Sequence, residues 1–311
     1  MILIESDHWR LWCDPQIGVQ WMAAEVQRQG TWHAVVPDCR EASPSNATTS
    51  LSRAGQNVAA PLPAANFHML PYSNRIRDGR FEFQGQSVQL ADADKHAIHG
   101  ALRKLPWKIA SSDSHSLTCT LHSSDHPELN WPWAIDATIK QSIDGDRLSS
   151  TLILTNRAET DMPAGFGWHP YFVREVNGSE PTLTLPVQGI FPDEAGDCLP
   201  DGAPVELPNA LDFRQAKSLD KNQRIDCCLS ELNGPCVIDW KDGGIQLHMT
   251  ASEICRFLIL YNPDMPHFAV EPVTNANDAF NLASQGVDAG VEVLKPGQSM
   301  EATMTLQAIV T

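Results

Sequence analysis

Alternation of apolar and polar residues around glycine turns is the feature that most limits how this chain can fold. The stretch AIDATIKQSIDGDRLSSTLILTN alternates on both sides of Asp144-Gly145-Asp146. CVIDWKDGGIQLHMT repeats the pattern around Asp242-Gly243-Gly244, and RFEFQGQSVQL repeats it around Gln84-Gly85-Gln86. Successive side chains of a strand point to opposite faces of a sheet, so two alternating runs joined by a glycine turn predict an antiparallel hairpin.

The rest of the chain also favours β-structure. SLTCTLHS predicts another short strand, and the continuous apolar run RFLILYN predicts a central strand that is covered on both faces. Helical periodicity is scarce, and 22 prolines interrupt the chain. These features predict an all-β protein, a large antiparallel sandwich or barrel with few short helices. We expect one domain over residues 1–311, with the polar, proline-containing stretch 41–65 as a long surface loop and core residues from Phe67 onward.

Charge and cysteine content limit the classes of partner. The formal net charge is −16 and no long cluster of lysine and arginine occurs, which argues against nucleic acid and acidic membranes as partners. The N-terminus has no basic segment followed by a long apolar run, and no run approaches the length of a membrane span. We therefore expect a cytoplasmic protein whose eight cysteines are reduced and mostly act as small hydrophobes. The neighbouring Cys227 and Cys228 are expected to be packing residues and not metal ligands.

Two stretches in the first half of the chain carry candidate polar groups. In LPYSNRIRDGRFEFQG, the guanidinium of Arg75 either donates to ligand hydroxyls or a carboxylate, or lies on the surface. In KHAIHGALRKLPWKI, His99 precedes Gly100, a residue that allows close approach of backbones. His96 lies three residues earlier, and a strand-like context would turn the two rings to opposite faces. The sequence therefore predicts no zinc site here.

Two stretches in the second half carry candidate proton-transfer groups. His169, in AGFGWHPYFV, is either a core histidine bonded to backbone or a group that exchanges protons near neutral pH. Glu271, in FAVEPVTNANDAFN, follows an apolar run and precedes a proline. A carboxylate there must be paired, for example with Arg75, or act as a general base with a tuned pKa. The segment Asp278 to Asn281 is predicted to be a turn capped by its polar side chains.

Taken in order, these stretches resemble the aldose 1-epimerase, or galactose mutarotase-like, family from about residue 67 onward. The resemblance is carried by the following residues in order: Asn74-Arg75-Ile76 with Gly79, Phe81 and Gly85; His99-Gly100 with Trp107; His169-Pro170-Tyr171-Phe172; Asp226; Glu271-Pro272 with Thr274; Asp278-Ala279-Phe280-Asn281; and VLKPGQS at 293–299. It implies a large antiparallel β-sandwich that binds a monosaccharide on a concave sheet face, without a cofactor or metal. It is compatible with a monomer or a homodimer.

The resemblance also implies roles for the matching residues. Glu271 would be the general base that takes the proton of the C1 hydroxyl, and His169 the general acid at the ring oxygen. His99 would assist near the ring oxygen and C1. Arg75 and Asp226 would hold sugar hydroxyls, with Asn74 and Arg103 as further substrate-binding candidates.

Several departures from the family pattern keep other functions open. Ala101 stands where many galactose-specific members have a second glycine, and two cysteines follow Asp226. Arg103 has an offset from His99 similar to that of an arginine in relatives that act on hexose 6-phosphates. We expect a mutarotase of free aldohexoses such as glucose or galactose. An epimerase of hexose 6-phosphate or another acidic sugar is the first alternative, and a sugar-binding protein without catalysis is the second.

Overall fold

The computed structural model describes residues 1–43, 62–91 and 93–311. Within these residues the chain forms twenty-five β-strands, one short α-helix and several isolated 3-10 turns. The strand pairs in its sheets are all antiparallel. The predicted all-β class with few short helices is therefore confirmed. Most of the predicted loop at 41–65 lies outside the described residues.

A nine-stranded sheet forms one layer and contains the two longest predicted hairpins. Its strands, in spatial order, are β18 (Lys217–Ser218), β15 (Thr182–Thr184), β20 (Cys236–Trp240), β21 (Ile245–Ala251), β25 (Ser299–Val310), β11 (Arg147–Asn156), β10 (Ile135–Asp144), β9 (Ser116–His122) and β8 (Lys108–Ser112). β10 and β11 pair from Asp144↔Arg147 to Ile135↔Asn156, which leaves a two-residue turn at Gly145-Asp146. Alternate residues of both strands are buried, as the sequence pattern predicted.

An eight-stranded sheet forms the second layer. Its strands are β17 (Val205–Glu206), β16 (Gly189–Ile190), β19 (Ile225–Ser230), β22 (Phe257–Asn262), β23 (His267–Val273), β13 (Gly167–Trp168) and β5 (His68–Met69) in spatial order, with β14 (Tyr171–Val173) also pairing with β23. The run RFLILYN becomes β22, which lies between β19 and β23. The prediction of a central strand is confirmed.

The remaining described elements flank these two sheets. Four strands form a meander, β1 (Ile2–Glu5), β2 (Trp9–Asp14), β3 (Gln20–Arg28) and β4 (Thr31–Ala34), and two small pairs join β6 (Arg80–Phe83) to β7 (Gln86–Gln89) and β12 (Met162–Ala164) to β24 (Glu292–Leu294). The helix α1 spans Ala279–Ser284. The 3-10 turns are Pro15–Ile17, Arg40–Ala42, Arg77–Gly79, Ala93–Lys95, Ser123–Asp125, Asn209–Leu211 and Lys241–Gly243.

The main core lies between the two large sheets. It joins Leu152 and Leu154 of β11 to Leu258 of β22 and to Phe268 and Val270 of β23 in one buried cluster. Each buried leucine or phenylalanine side chain contributes about 1.5–3 kcal/mol relative to an exposed one. Seven of the nine tryptophans are buried, so packing is the main use of these side chains.

A buried polar network crosses this core and connects the two sheets. Trp168 of β13 donates its indole N–H to Ser150 Oγ of β11 over 2.9 Å. Gln141 Nε2 of β10 lies 3.0 Å from the same hydroxyl and 3.1 Å from Nε2 of His68 on β5. Burial lowers the pKa of His68 to about 4, so this ring is neutral near pH 7. The network fixes the backbone next to residue 169 relative to the opposite sheet.

The cysteines are mostly packing residues, as predicted. All eight are free thiols, and six of them are buried. Burial raises the pKa of Cys228 to about 12, so its thiol stays protonated at neutral pH. Cys198 and Cys227 are half-buried and lie near the candidate site.

Two local predictions are wrong. Asp278 to Asn281 is not a turn, because α1 begins at Ala279, and the Asp278 side chain makes no capping bond to that helix. Its carboxylate instead accepts hydrogen bonds from the backbone N–H of Arg77 over 2.8 Å and from the side-chain amide of Asn281 over 2.7 Å. His96 and His99 are not in a strand; they lie in a series of turns after the 3-10 turn at 93–95.

Candidate active site

Glu271 lies near the end of β23, on the sheet face that points away from the main core. Its neighbours Phe268 and Val270 face the core, and because side chains alternate, Ala269 and Glu271 face the other way. A second buried cluster that includes Ile259 and Val273 covers part of this outer face. The side chain of Glu271 is therefore only 1% exposed, although it does not point into the sandwich.

The imidazole of His169 is the direct partner of this carboxylate. Nε2 of His169 lies 3.1 Å from Oε1 of Glu271. The backbone N–H of His169 donates to the carbonyl of Phe67 and to Oδ1 of Asn66, each over 3.0 Å. These bonds fix the ring beside β23, and the arginine pairing considered for Glu271 is replaced by a histidine pairing.

Burial changes the proton affinity of both members of this pair. It raises the pKa of Glu271 well above its ordinary value, the charge of Asp226 adds to that rise, and the charge of Arg75 opposes it. Burial lowers the pKa of His169 to about 3. Both shifts favour the uncharged forms, a carboxylic acid and a neutral imidazole, which together hold one proton. Oε2 of Glu271 and Nδ1 of His169 are buried with no hydrogen-bond partner among the described residues.

Aromatic rings form a wall next to the pair. The ring of Phe67 lies 4.4 Å from that of His169 and 5.0 Å from that of His99, between centroids. The two histidine rings are 5.1 Å apart, and the Tyr171 ring lies 4.5 Å from that of His169. Burial, with the nearby His169 and Arg103, lowers the pKa of His99 well below its ordinary value. His99 is therefore a neutral group in this wall.

A left-handed backbone segment holds His99 in place. His96, Ala97, His99 and Gly100 all have positive φ, with His99 at +69° and Gly100 at +71°. The N–H of His99 donates to the carbonyl of Asn74 over 2.7 Å. A Cβ at residue 100 would lie 2.4 Å from the carbonyl oxygen of Leu70. The close backbone approach predicted for Gly100 is confirmed.

Hydrogen bonds also link the Asn74–Arg75 segment to the loop after β23. The N–H of Asp278 donates to the carbonyl of Arg75 over 2.7 Å, and Nη1 of Arg75 donates to Oδ1 of Asn74 over 3.1 Å. The Arg75 charge lowers the pKa of Glu271 and of Asp226. This guanidinium therefore faces the same site as both carboxylates.

Asp226 lies on the same sheet face as Glu271, two strands away. The register pairs Glu271 with Ile259 and Ile259 with Cys228, so these three residues form a row across β23, β22 and β19. Asp226 is two residues from Cys228 and shares its face. Burial raises the pKa of Asp226, while a hydrogen bond from the Cys198 thiol and the charge of Arg75 lower it.

Arg103 lies at the histidine side of the site. Its guanidinium carbon is 5.2 Å from the centre of the Phe67 ring. Its charge lowers the pKa of both His99 and His169. Its carbonyl accepts a hydrogen bond of 2.8 Å from Gln20 Nε2, which fixes the backbone here.

The structure thus brings together all seven residues proposed from the sequence: Asn74, Arg75, His99, Arg103, His169, Asp226 and Glu271. Sequence reasoning missed three of their neighbours. Phe67 was expected to belong to the core, and nothing local marked Cys198 or Asn277, which reach the site from loops. No group of three or more potential metal ligands occurs among the described residues. No helix in the described part of the chain is long and apolar enough to cross a membrane.

Comparison with known proteins agrees with this fold. The chain superposes on a galactose mutarotase-like protein from Clostridium acetobutylicum with a TM-score of 0.82 at 15% identity, covering 99% of this chain and 95% of that one. It superposes on galactose 1-epimerase from Lactobacillus acidophilus with a TM-score of 0.73 at 15% identity, covering 98% and 92%. At these identities the likeness establishes the fold alone.

Sequence relatives add to the comparison. The chain is 27% identical over 271 residues to the uncharacterized protein YphB of Escherichia coli, covering 84% of this chain and 89% of that protein. It is 27% identical over 155 residues to aldose 1-epimerase of E. coli, covering 47% of this chain and 44% of that enzyme. The profile of the aldose 1-epimerase family matches residues 50–307. Because that match covers most of the sequence, the chain belongs to the aldose 1-epimerase family.

Proposed function

We propose that the protein is an aldose 1-epimerase that interconverts the α and β anomers of free aldohexoses such as glucose or galactose. The observation that carries the proposal is the contact of 3.1 Å between Nε2 of His169 and Oε1 of Glu271, on a sheet face that also presents Asp226. Opening a cyclic hemiacetal moves one proton from the C1 hydroxyl and another to the ring oxygen. A base and an acid at one carbon therefore suffice, and no redox or group-transfer cofactor is needed.

The shared proton of the pair suits this chemistry. A carboxylate with an imidazolium has the same number of protons as a carboxylic acid with a neutral imidazole. Moving one proton across the 3.1 Å contact therefore converts the uncharged pair into the base and acid that ring opening requires. Burial alone favours the uncharged pair, and sugar hydroxyls that bind Glu271 would favour the charged one.

The proton transfers then follow from the positions of the groups. Glu271 takes the proton of the C1 hydroxyl while His169 protonates the ring oxygen, and the bond between C1 and the ring oxygen breaks. The bond between C1 and C2 rotates, and the ring closes on the other face with the two roles reversed. His99 lies beside His169 and assists near the ring oxygen. Arg75 and Asp226 hold hydroxyls, and Asn74 orients the Arg75 guanidinium.

Arg103 favours a second candidate, an epimerase of hexose 6-phosphate. Its guanidinium lies beside Phe67 and both site histidines, where a cation would meet a phosphate on C6. We place this candidate second because negative charge disfavours a phosphate: the chain has a net charge of −16, and the carboxyl groups of Asp226 and Glu271 face the same site.

Polarimetry on freshly dissolved α-glucose, α-galactose and glucose 6-phosphate tests both candidates. The proposal expects faster equilibration of the free sugars, and faster turnover of the phosphate that is lost in Arg103→Ala would favour the second. A binding protein without catalysis is the remaining alternative. It predicts that Glu271→Gln binds sugar and equilibrates its anomers as fast as the wild type.

A further inference from the structure

A cavity of about 330 Å³ opens beside Asp226. It lies between the neighbouring strands β16 and β19 and the loop that follows β16. Residues of this loop, among them Phe191, Asp193 and Cys198, line it together with Leu211, Asp226 and Asn277. The proposed transfer of protons at C1 and the ring oxygen makes no use of this space.

The cavity borders the proposed hexose site, because Asp226 belongs to both. Asp226 lines it, and its charge helps to raise the pKa of Glu271. Cys228 also lines it and stands in the same cross-strand row as Glu271. A group attached to a sugar carbon close to C1 could therefore enter the cavity while C1 stays beside Glu271.

The lining selects the chemistry of such a group. Ile190, Phe191, Pro192, Pro200 and Leu211 provide an apolar wall. Among the described residues that line the cavity there is no lysine or arginine, while Asp193 and Asp226 are both present. An anionic substituent would meet two carboxylates and no lining cation, so this end of the site favours a neutral group.

Asn277 adds a directional feature. Its Nδ2 donates to the carbonyl of Cys198 over 2.7 Å, which fixes the orientation of the amide. Its Oδ1 is buried and has no hydrogen-bond partner among the described residues. A buried acceptor without a donor is costly, and an N–H group of a ligand would satisfy it.

We propose that this cavity is a substituent subsite that takes a neutral acylamino group, so that the preferred substrates are 2-acylamino aldohexoses. The N–H would donate to Oδ1 of Asn277, and the acyl chain would lie on the wall formed by Phe191 and Leu211. The inference rests on the proposed 1-epimerase function, because it places C1 at Glu271. It concerns the end of the site opposite to Arg103.

Anomerisation rates of N-acetyl-D-glucosamine and glucose, measured by polarimetry or NMR, test this assignment. We expect kcat/KM for N-acetylglucosamine to exceed that for glucose by at least about fourfold, the factor expected from burying one methyl group. The N-propanoyl sugar should gain about a further fourfold. Leu211→Trp, which fills the cavity, should abolish the advantage. Leu232→Trp, in a separate groove, should keep it.

These measurements distinguish failure of the subsite proposal from failure of the proposed 1-epimerase function. Turnover of glucose with a ratio of one or less for N-acetylglucosamine, or a ratio that Leu211→Trp leaves unchanged, overturns the subsite and leaves the epimerase function standing. Absence of turnover of every sugar overturns the epimerase function. Calorimetric titration then decides the subsite, because equal affinity for the two sugars refutes it and tighter binding of N-acetylglucosamine that is lost in Leu211→Trp supports it.

Discussion

Replacing Glu271 by glutamine separates the catalytic role of this residue from any structural one. Glutamine keeps the shape of the side chain and can still hydrogen-bond to His169, but it cannot accept the proton of the C1 hydroxyl. Loss of a general base typically lowers a rate by about 10² to 10⁴, which corresponds to about 3–5 kcal/mol of transition-state stabilisation. We expect a fall in kcat of that size in polarimetry with α-glucose, with sugar binding retained.

The Glu271→Gln variant should be more stable than the wild type, although it is less active. Burial raises the pKa of Glu271 in the folded state, so the folded protein holds a proton that the unfolded chain releases above about pH 4.3. The free energy of unfolding of the wild type therefore falls as pH rises from there through the folded pKa, by up to about 1.4 kcal/mol per pH unit. Glutamine has no such dependence, so Glu271→Gln should melt at a higher temperature than the wild type, more so at pH 8 than at pH 5.

Two results would refute this reasoning. An unchanged rate would show that Glu271 is not the base. A lower melting temperature at pH 8 would show that the carboxylate is charged there and stabilises the fold as half of an ion pair. Glu159→Gln, a change at an exposed residue, is the matched control and should alter neither measurement.

Four further predictions follow from the site. His169→Asn should lower kcat for free aldohexoses by about 10² or more, because the acid at the ring oxygen is lost; wild-type rates would refute its role. Since burial lowers the pKa of His169 to about 3, its imidazolium form, followed by nitrogen NMR, should stay unpopulated between about pH 5 and 7, and protonation of this ring with a midpoint near 6.5, the value of an unperturbed histidine, would contradict the lowered pKa. Gly100→Ala should destabilise the fold and reduce activity, because its Cβ would lie 2.4 Å from the Leu70 oxygen. Gly145→Ala, also at positive φ but with nothing within 4 Å, should leave kcat unchanged and lower the stability less. Equal effects of the two variants would refute the steric argument. Arg103→Ala should leave glucose anomerisation within about tenfold of wild type, and a selective loss of glucose 6-phosphate turnover would instead favour the second candidate function.

The strands could be predicted from the sequence because each one leaves a local pattern. The β10–β11 hairpin follows from alternation and its glycine turn, and β22 follows from its apolar run. The pairing of distant strands leaves no such pattern. That β19, β22 and β23 are neighbours, and that their register places Cys228, Ile259 and Glu271 in one row, depends on the whole sheet.

The site could be predicted only as a set of separate residues. Local context marked Glu271, His169 and His99, and the family resemblance connected them, but their contacts arise from tertiary structure. The conformation around His96 could not be predicted because its short mixture of apolar and polar residues resembles a strand, while backbone hydrogen bonds to Leu70, Asn74 and Ile76 hold it in left-handed turns. The role of Asp278 could not be predicted for a similar reason, since its carboxylate accepts from a backbone N–H that is distant in sequence.

The contact between Glu271 and His169 also bears on which ligands can bind at this site. A ligand that separates the two side chains must replace their contact with hydrogen bonds of its own to Oε1 of Glu271 and Nε2 of His169, because a buried polar group left unpaired costs about 1–3 kcal/mol. The contact between Glu271 and His169 therefore favours the binding of ligands that carry several hydroxyl groups on one ring.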